Sequence, residues 1–468
     1  MAFYLQYRNL CKRVKQQLDE FDDQEKARHE PFDHHHRFSG ATTTAEQDDN
    51  DNAGKDSASE DGEDAKNFPY ATLDGVTLET DPQGQKYYQV GFESAEDPQN
   101  PKNWSLVNRL RTAFVLVTIA FVVTAASSID SGIAPQAARA FGVSSVTEAL
   151  GGTGIFLVGF GIGSLLASPA SEMVGRYPVY LVTLVIFGCW LVGAGLAPNI
   201  GAQIAFRFLA GLSASAPLTV AGGSIADMFS IKERTWLFPV FALIAFGGPV
   251  LGPVIAAYIG KTGVLSWRWV SWIMLITDGL VIALILILKK ETLAPQILRY
   301  KAKHLRTLTG DDRFKTAMEA EGHSFAKVLK TNFTRPFILA KEPIILLFTL
   351  YLTVVYIILF TFLDGYTYIF EQTYGISAGL SDLCFLGLLV GIVSNVVIVP
   401  IVNRITKKQL ARDGDDGSGS ALNQETRIIF SMISAPFIPI GLLWMAWTDY
   451  VSRPPFVAEP NRTEPNRG

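Results

Sequence analysis

Three charged residues stand within or at the end of long apolar stretches of this chain. Arg207 and Asp278 lie inside such stretches, and Asp130 lies at the end of another. Ionisable side chains inside a membrane are costly, and by default they mark the passage of ions or substrates. Other interpretations stay open: the charged end of Arg207 can reach the outer surface, and Asp278 can pair with Arg268. Asp130 can be a satisfied carboxylate at a helix end.

The elements that must position these residues are long apolar segments. A membrane span needs about 20 mainly apolar residues, and only helices and closed barrels satisfy their own backbone in lipid. Nine such stretches follow Trp104: Leu110–Ile129, Leu150–Ser168, Val179–Leu196, Ile200–Ile225, Leu237–Tyr258, Val270–Leu288, Ile344–Leu363, Leu383–Val402 and Ile428–Trp447. The sequence therefore predicts an all-α membrane protein with nine transmembrane helices.

The composition supports this class. Of the 468 residues, 18% are charged, whereas soluble domains carry about a quarter. The net charge of −4 is too small to suggest nucleic acid as a partner. The three cysteines lie far apart and have no metal or disulfide spacing, so no metal site is expected.

The distribution of Lys and Arg predicts the orientation and the domains. With a cytosolic N-terminus, the inner loops hold twenty Lys or Arg and the outer loops three, as the positive-inside rule requires. We predict a disordered cytosolic tail with a short charged helix over Lys12–Arg28, a six-helix bundle, a cytosolic linker, a partial three-helix bundle and a disordered C-terminal tail. Their boundaries are 1–103, 104–290, 291–342, 343–448 and 449–468.

The linker between the two sets of spans is rich in Lys and Arg. Within it, Leu298–Arg306 and Phe325–Leu329 are predicted to form short amphipathic helices against the membrane face. Two helix sets joined in this way suit two bundles that rock about a site at the midplane.

A charged motif lies between the second and third spans, where residues 168–178 read SPASEMVGRYP. A tight turn needs Gly175, and Glu172 with Arg176 can form a charge relay between helix ends. An ordinary positively charged loop is the alternative interpretation. The motif resembles the loop signature of the major facilitator superfamily, in the form found in fungal drug:proton antiporters. Ser168 and Tyr177 depart from that pattern, so the predicted latch is weaker here.

Two further motifs extend the resemblance. Arg207 matches the arginine of the family's fourth helix, which the resemblance links to proton coupling together with Asp278. Gly248, Pro249, Gly252 and Pro253 match the Gly-Pro-x-x-Gly-Pro element of antiporters, in which small residues permit close helix packing and prolines bend the helix. The resemblance also includes Asp227 and Arg234 in the conformational latch.

The resemblance implies a major facilitator fold and proton-coupled export of drugs, xenobiotics or polyamine-like cations by alternating access. Its partners are then the lipid bilayer, protons and a small organic substrate, in the plasma membrane. No Walker pattern for ATP binding is present, so we expect a proton gradient to supply the energy and expect no cofactor. No loop concentrates catalytic groups, so an enzyme is not expected. A nutrient importer of the same superfamily is an alternative.

Candidate substrate ligands lie in the first and seventh spans. Asp130 can hold a cationic drug or polyamine, and Tyr351, Tyr356 and Phe360 form an aromatic ladder. Aromatic residues in membrane helices also serve as lipid-facing or packing residues, so both roles stay open for the ladder.

Relatives of this type have twelve spans, whereas only nine are predicted here. We expect a complete N-terminal bundle and an incomplete C-terminal one, from a truncated gene product. A natural short form that works with a partner chain is the alternative, as is an inactive or regulatory fragment; a complete transporter is expected to be monomeric.

Overall fold

The computed structural model describes residues 1–29, 68–81, 84–261, 266–320, 322, 325–368 and 435–448, with scattered residues between 386 and 404. Before the apolar helices stand α1 (Ala2–His29), β1 (Val76–Thr80) and β2 (Lys86–Val90). The apolar bundle contains α2 (Leu106–Ser128), α3 (Ala134–Phe141), α4 (Ser145–Ala149), α5 (Ile155–Val174), α6 (Arg176–Gly195), α7 (Ile200–Met228), α8 (Ile231–Lys261) and α9 (Trp269–Leu288). After it follow α10 (Ala294–Thr309), β3 (Phe314–Lys315), α11 (Ala317–Ala320), α12 (Phe325–Leu339), α13 (Pro343–Tyr368) and α14 (Phe437–Thr448).

Seven helical segments in the described residues are long and apolar enough to cross a membrane: Leu106–Phe141, Val146–Val174, Arg176–Gly195, Ile200–Met228, Trp236–Ile259, Trp269–Leu288 and Pro343–Thr361. They correspond to the first seven predicted spans, and the predicted helical membrane fold is confirmed. The eighth predicted span, 383–402, lies mostly outside the described residues. Of the ninth, only the part from 435 onward is described, and it contains α14.

Small residues bring the bundle helices together. α5 and α7 cross where a side-chain carbon on Gly159 would stand 3.1 Å from the backbone nitrogen of Leu212. Gly211 on α7 faces the backbone of Phe156 in the same way. Packing through glycine is the usual means of close helix approach in lipid, because lipid supplies no hydrophobic driving force between helices.

The prediction of a disordered tail over 1–103 is wrong for the described parts of that segment. β1 and β2 form an antiparallel hairpin with Val76 opposite Val90, and β2 pairs in parallel with β3. α1, the three strands and α10 share a second apolar core that includes Val14, Tyr88 and Phe314; we call this unit the cap. The acidic run within 30–67 lies outside the described residues.

Helices are present at the positions predicted in the linker and the tail, while the predicted location of the linker helices against the membrane face stays a prediction. α10 contains Leu298–Arg306 and α12 contains Phe325–Leu329, while the charged helix predicted over Lys12–Arg28 is part of the longer α1. α10 ends at Gly310, whose positive φ of 72° suits glycine at a helix C-terminus. Contacts of α1 with Tyr177 and Glu291 place the cap against one end of the bundle.

Candidate functional site

A buried ion pair lies at the end of the bundle remote from the cap. Arg207 of α7 is only 1% exposed, and its guanidinium Nη2 contacts Oδ1 of Asp130, which is 5% exposed. Arg207 Nη1 also donates a hydrogen bond to the carbonyl oxygen of Ala126 at 3.2 Å. Arg207 therefore does not reach the surface, and the two residues predicted to have separate roles form one unit.

A second carboxylate joins this pair. Asp130 lies in the 3-10 turn Ile129–Ile133 that follows α2, and Glu148 lies in α4, just before a π-helical turn over Leu150–Gly154. A side-chain carbon on Gly152 would stand 3.2 Å from Oδ2 of Asp130 and 3.6 Å from Oε1 of Glu148. Both carboxyl groups thus converge on Gly152, where the absence of a side chain makes room for them.

The cluster also contains an amide. Gln203 precedes Arg207 by four residues on α7 and so shares its helix face; we call Asp130, Glu148, Gln203 and Arg207 the carboxylate cluster. Within the described part of the chain, five buried atoms of these residues have no hydrogen-bond partner: Asp130 Oδ2, Glu148 Oε2, Gln203 Oε1, Arg207 Nε and Arg207 Nη2, the last of which is the atom that makes the ion pair with Asp130. Buried polar atoms are normally paired, so the cluster has spare capacity to bind a proton or a ligand.

Sequence reasoning missed Glu148 and Gln203. Glu148 stands two residues before the start of the second predicted span, outside the apolar stretches in which a charge is conspicuous. The available signal was the pair of glycines at 151 and 152, which permits close approach of a neighbouring helix.

A second set of charges lies at the cap end. Arg176 Nε donates to Oδ2 of Asp227 at 3.2 Å, and its Nη1 donates to Ser171 Oγ at 2.5 Å. Glu172, the predicted partner of Arg176, is exposed. The predicted ion pair between Arg176 and Glu172 is not formed. In the described residues Arg176 pairs with Asp227 of α7 instead, because Glu172 lies on the outer face of α5.

Glu291 anchors this set. Its carboxylate accepts hydrogen bonds from the backbone N–H groups of Arg176 at 3.1 Å and Tyr177 at 3.0 Å. It also accepts those of Thr292 and Leu293, each at 2.9 Å. The first two N–H groups belong to the start of α6, where a negative charge is favoured by the helix dipole. Gly175 makes this approach possible with a φ of 105°.

Lys289 completes the set, which we call the latch network: Arg176, Asp227, Lys289 and Glu291. Its ammonium lies 4.2 Å from the ring centroid of Tyr180, whose hydroxyl is 3.0 Å from Ser224 Oγ. Burial lowers the pKa of Lys289 to about 8, against the opposing attraction of Glu291 and Asp227.

The first turns of α1 contact the latch network directly. Phe3 stacks on Tyr177 with ring centroids 4.4 Å apart and planes 7° apart. Gln6 exchanges two hydrogen bonds with the backbone of Glu291, at 3.1 and 2.8 Å. Tyr177, one of the two residues that depart from the family pattern, is thus part of the contact surface for α1.

Arg234, predicted as part of the latch, contacts the end of α7. Its Nε donates to the carbonyl oxygen of Phe229 at 2.8 Å, and its Nη2 contacts the carbonyl oxygen of Ala226. The neighbouring Glu233 pairs with Arg109 at 2.9 Å. These contacts link the start of α8 to the end of α7 and to the start of α2.

The Gly-Pro-x-x-Gly-Pro element packs against α2. Pro249 and Pro253 have no N–H, so the carbonyls four residues earlier lose their helical partners. Thr124 Oγ1 donates to the carbonyl of Ala245 at 2.7 Å, and Ser128 Oγ donates to that of Pro249 at 2.9 Å.

The two glycines of the element bring the helices close enough for these bonds. A side-chain carbon on Gly248 would stand 2.7 Å from the backbone nitrogen of Ala125, and one on Gly252 would stand 2.9 Å from the carbonyl oxygen of the same residue. The element is therefore a tight contact in which a hydroxyl of α2 lies within hydrogen-bond distance of each of the two freed carbonyls.

Asp278 is buried in α9 at 1% exposure, and neither of its carboxylate oxygens has a partner among the described residues. It faces Gly188 of α6. The predicted pairing with Arg268 is not formed, because Arg268 donates to the carbonyl oxygen of Ala197 at 3.0 Å and lies over Trp267.

The aromatic ladder is separate from these charges. Tyr351 and Tyr356 are 43% and 48% exposed on α13, and Tyr356 stacks on Phe360 with centroids 6.4 Å apart. Its contact with the bundle is to Phe246 of α8, at 6.5 Å between centroids. The structure therefore does not bring the ladder to Asp130.

Comparison with protein families identifies the fold. Residues 116–457 match the model of the Major Facilitator Superfamily. The chain belongs to this superfamily. With its apolar helices, it is a multi-pass membrane protein.

Curated relatives are fungal. The chain is 45% identical over 364 residues to the MFS-type transporter kojT of Aspergillus oryzae, covering 78% of this chain and 64% of that protein. It is 36% identical over 386 residues to the MFS-type efflux pump MFS2 of Trichophyton rubrum, covering 82% and 62%. The chain thus spans a little under two thirds of the length of these relatives.

Among solved structures, the chain is similar to the xylose transporter XylE from E. coli. The sequence identity is 14% and the TM-score 0.44, with 64% of this chain and 72% of that chain covered.

Proposed function

We propose that this superfamily member exports small organic molecules, such as drugs or polyamine-like cations, in exchange for protons. The observation that carries the proposal is the buried Asp130–Arg207 pair, which has unpartnered carboxylate oxygens beside it. A buried charge cluster inside a membrane bundle is costly, and spare carboxylate oxygens are suited to bind a proton or an organic cation.

Alternating access requires a joint that closes in one conformation and opens in the other. We assign the latch role to Arg176, Asp227 and Gly175, since the ion pair joins the start of α6 to the end of α7. Arg234 supports the latch by holding the end of α7. Glu172 is free to approach Arg176 only after rearrangement. Asp278 is a second candidate for carrying a proton.

Two observations favour export over import. The Gly-Pro-x-x-Gly-Pro element forms a tight contact between α2 and α8, as expected of a seal against proton leakage. The relative from Trichophyton rubrum carries the name of an efflux pump. The excess of Lys and Arg on this side supports a cytosolic location of the cap in the proposal, and the plasma membrane is the proposed location.

The test is transport by the full chain in proteoliposomes preloaded with the fluorescent cation rhodamine 6G. An imposed proton gradient is expected to drive more dye release than from dye-loaded liposomes without protein. Arg207→Gln should abolish the release, because it removes the cation of the buried pair. Arg139→Gln is the control, since Arg139 is an exposed arginine on the adjoining α3.

Dye release equal to that of dye-loaded liposomes without protein would refute the proposal for this chain. Release that is insensitive to the proton gradient would refute the coupling while leaving transport in place. Gradient-driven accumulation of a labelled sugar, without dye release, would instead establish the importer.

A further inference from the structure

The carboxylate cluster contains more acid than base. Asp130 and Glu148 provide two carboxyl groups, and Arg207 is the cation that faces them from α7. The other neighbours of the cluster in the described structure are neutral: Gln203 from α7 and the carbonyl of Ala126 from α2. With both acids ionised, the cluster would carry one uncompensated negative charge in an apolar interior.

An uncompensated buried charge is strongly unfavourable, and the group takes up a proton instead. The contacts decide which carboxyl holds it. Asp130 has a direct ion pair with Arg207, which favours its ionised form. Glu148 is 2% exposed, and its Oε2 has no partner among the described residues. The neutral acid is therefore the one without an ion pair.

We propose that Glu148 is the proton-carrying residue of this cluster, and that it is protonated whenever Asp130 pairs with Arg207. Its role in transport rests on the proposed function, but its charge state does not. If Asp130 becomes neutral or leaves Arg207, Arg207 takes Glu148 as its partner, and Glu148 releases its proton. The two carboxyl groups thus share one cation and hold one proton between them.

The local backbone favours such an exchange. The π-helical turn Leu150–Gly154 follows Glu148 directly, and single π turns inside helices are frequent at functional sites. Gly152 leaves the space between the two carboxyl groups free of a side chain. This open space suits the exchange of Arg207 between the two carboxyl groups that the proposal requires.

The test is infrared spectroscopy of the purified full chain, following the C=O stretch of protonated carboxyl groups at neutral pH. Glu148→Gln is nearly isosteric with the protonated acid and should fold; it is expected to remove one such band. Asp130→Asn is expected to remove the same band, because Glu148 then ionises against Arg207. Asp278→Asn is the matched control from another buried acid and should leave this band in place.

Each outcome decides the proposal. A band that persists in Glu148→Gln would overturn the assignment of the proton. A Glu148 band that persists in Asp130→Asn would overturn the sharing of Arg207. The infrared measurement needs neither substrate nor transport. If the carboxyl bands behave as expected but the chain releases no dye in proteoliposomes, the proposed function is refuted while the assignment of the proton to Glu148 stands.

Discussion

The two ends of the bundle contain buried charges that are balanced in different ways. At the cap end, Arg176 and Lys289 face Asp227 and Glu291, so the latch network is neutral when all four are ionised. At the other end, a single arginine faces two carboxyl groups. The comparison separates a network that can be fully charged from one that must hold a proton.

The two ends also differ in how many hydrogen bonds their buried carboxylates accept. Glu291 accepts four backbone N–H groups, whereas Glu148 and Asp130 each keep an oxygen without a partner in the described residues. A satisfied buried network is rigid, while an unsatisfied one pays the full cost of its unpaired groups. The carboxylates of the cap end are therefore better hydrogen-bonded than those of the far end, although Lys289 Nζ has no hydrogen-bond partner among the described residues and lies over the ring of Tyr180 instead.

The largest expected effect is a loss of stability on replacement of Arg207, which should exceed the loss on replacement of Arg176. Arg207→Met leaves Asp130 without its cation, and removal of one partner from a buried ion pair costs about 3–5 kcal/mol. Arg176→Met should cost less, because Lys289 remains near Asp227 and Glu291 keeps its backbone donors. The measurement is the free energy of unfolding of each variant in detergent.

Arg139→Met, which alters an exposed arginine, should leave that free energy nearly unchanged. An equal or greater loss in Arg176→Met would contradict the distinction between the two ends.

The next effect is a pH dependence confined to the cap end. The pKa of Lys289 falls from 10.5 to about 8 in the folded protein. Between these values the unfolded chain binds more protons than the folded one, so stability rises with pH, by up to about 3 kcal/mol. Lys289→Met should remove that rise in the free energy of unfolding.

The control for this measurement is Lys303→Met, which replaces an exposed lysine of α10. The expectation fails if the wild type and Lys289→Met keep parallel profiles between pH 8 and 10.5.

The smallest effect concerns the contact that joins α2 to α8. Thr124→Val and Ser128→Ala each leave a carbonyl freed by proline without its donor, which should cost about 1–3 kcal/mol per site. Thr118→Val is the matched control on α2, because its hydroxyl bonds only within its own helix, to Phe114 at 2.9 Å. Thermal unfolding in detergent compares the three; equal losses would show that the interhelical bonds contribute nothing.

The predictable part of the molecule is the part that depends on local sequence. The apolar stretches are long enough to identify the spans, and Arg207 was recognised because a charge stands out there. The cap was missed because its strands are short and because its elements come from both sides of the bundle sequence. Tyr88 is buried in part because it stacks on Phe314 of β3, more than two hundred residues along the chain, with centroids 4.6 Å apart.

By itself, the sequence determined the helices, the class of membrane protein and the residues that could not be inert in lipid. Hydrophobic length and charge cost are properties of single segments, and they hold in any packing. Only the tertiary structure decided the partners: Asp130 for Arg207, Asp227 for Arg176, and Glu148 as the additional acid. These pairings depend on which helix faces meet, and the close approach of the helices is set by glycines such as Gly159 and Gly211, whose contacts lie on other helices.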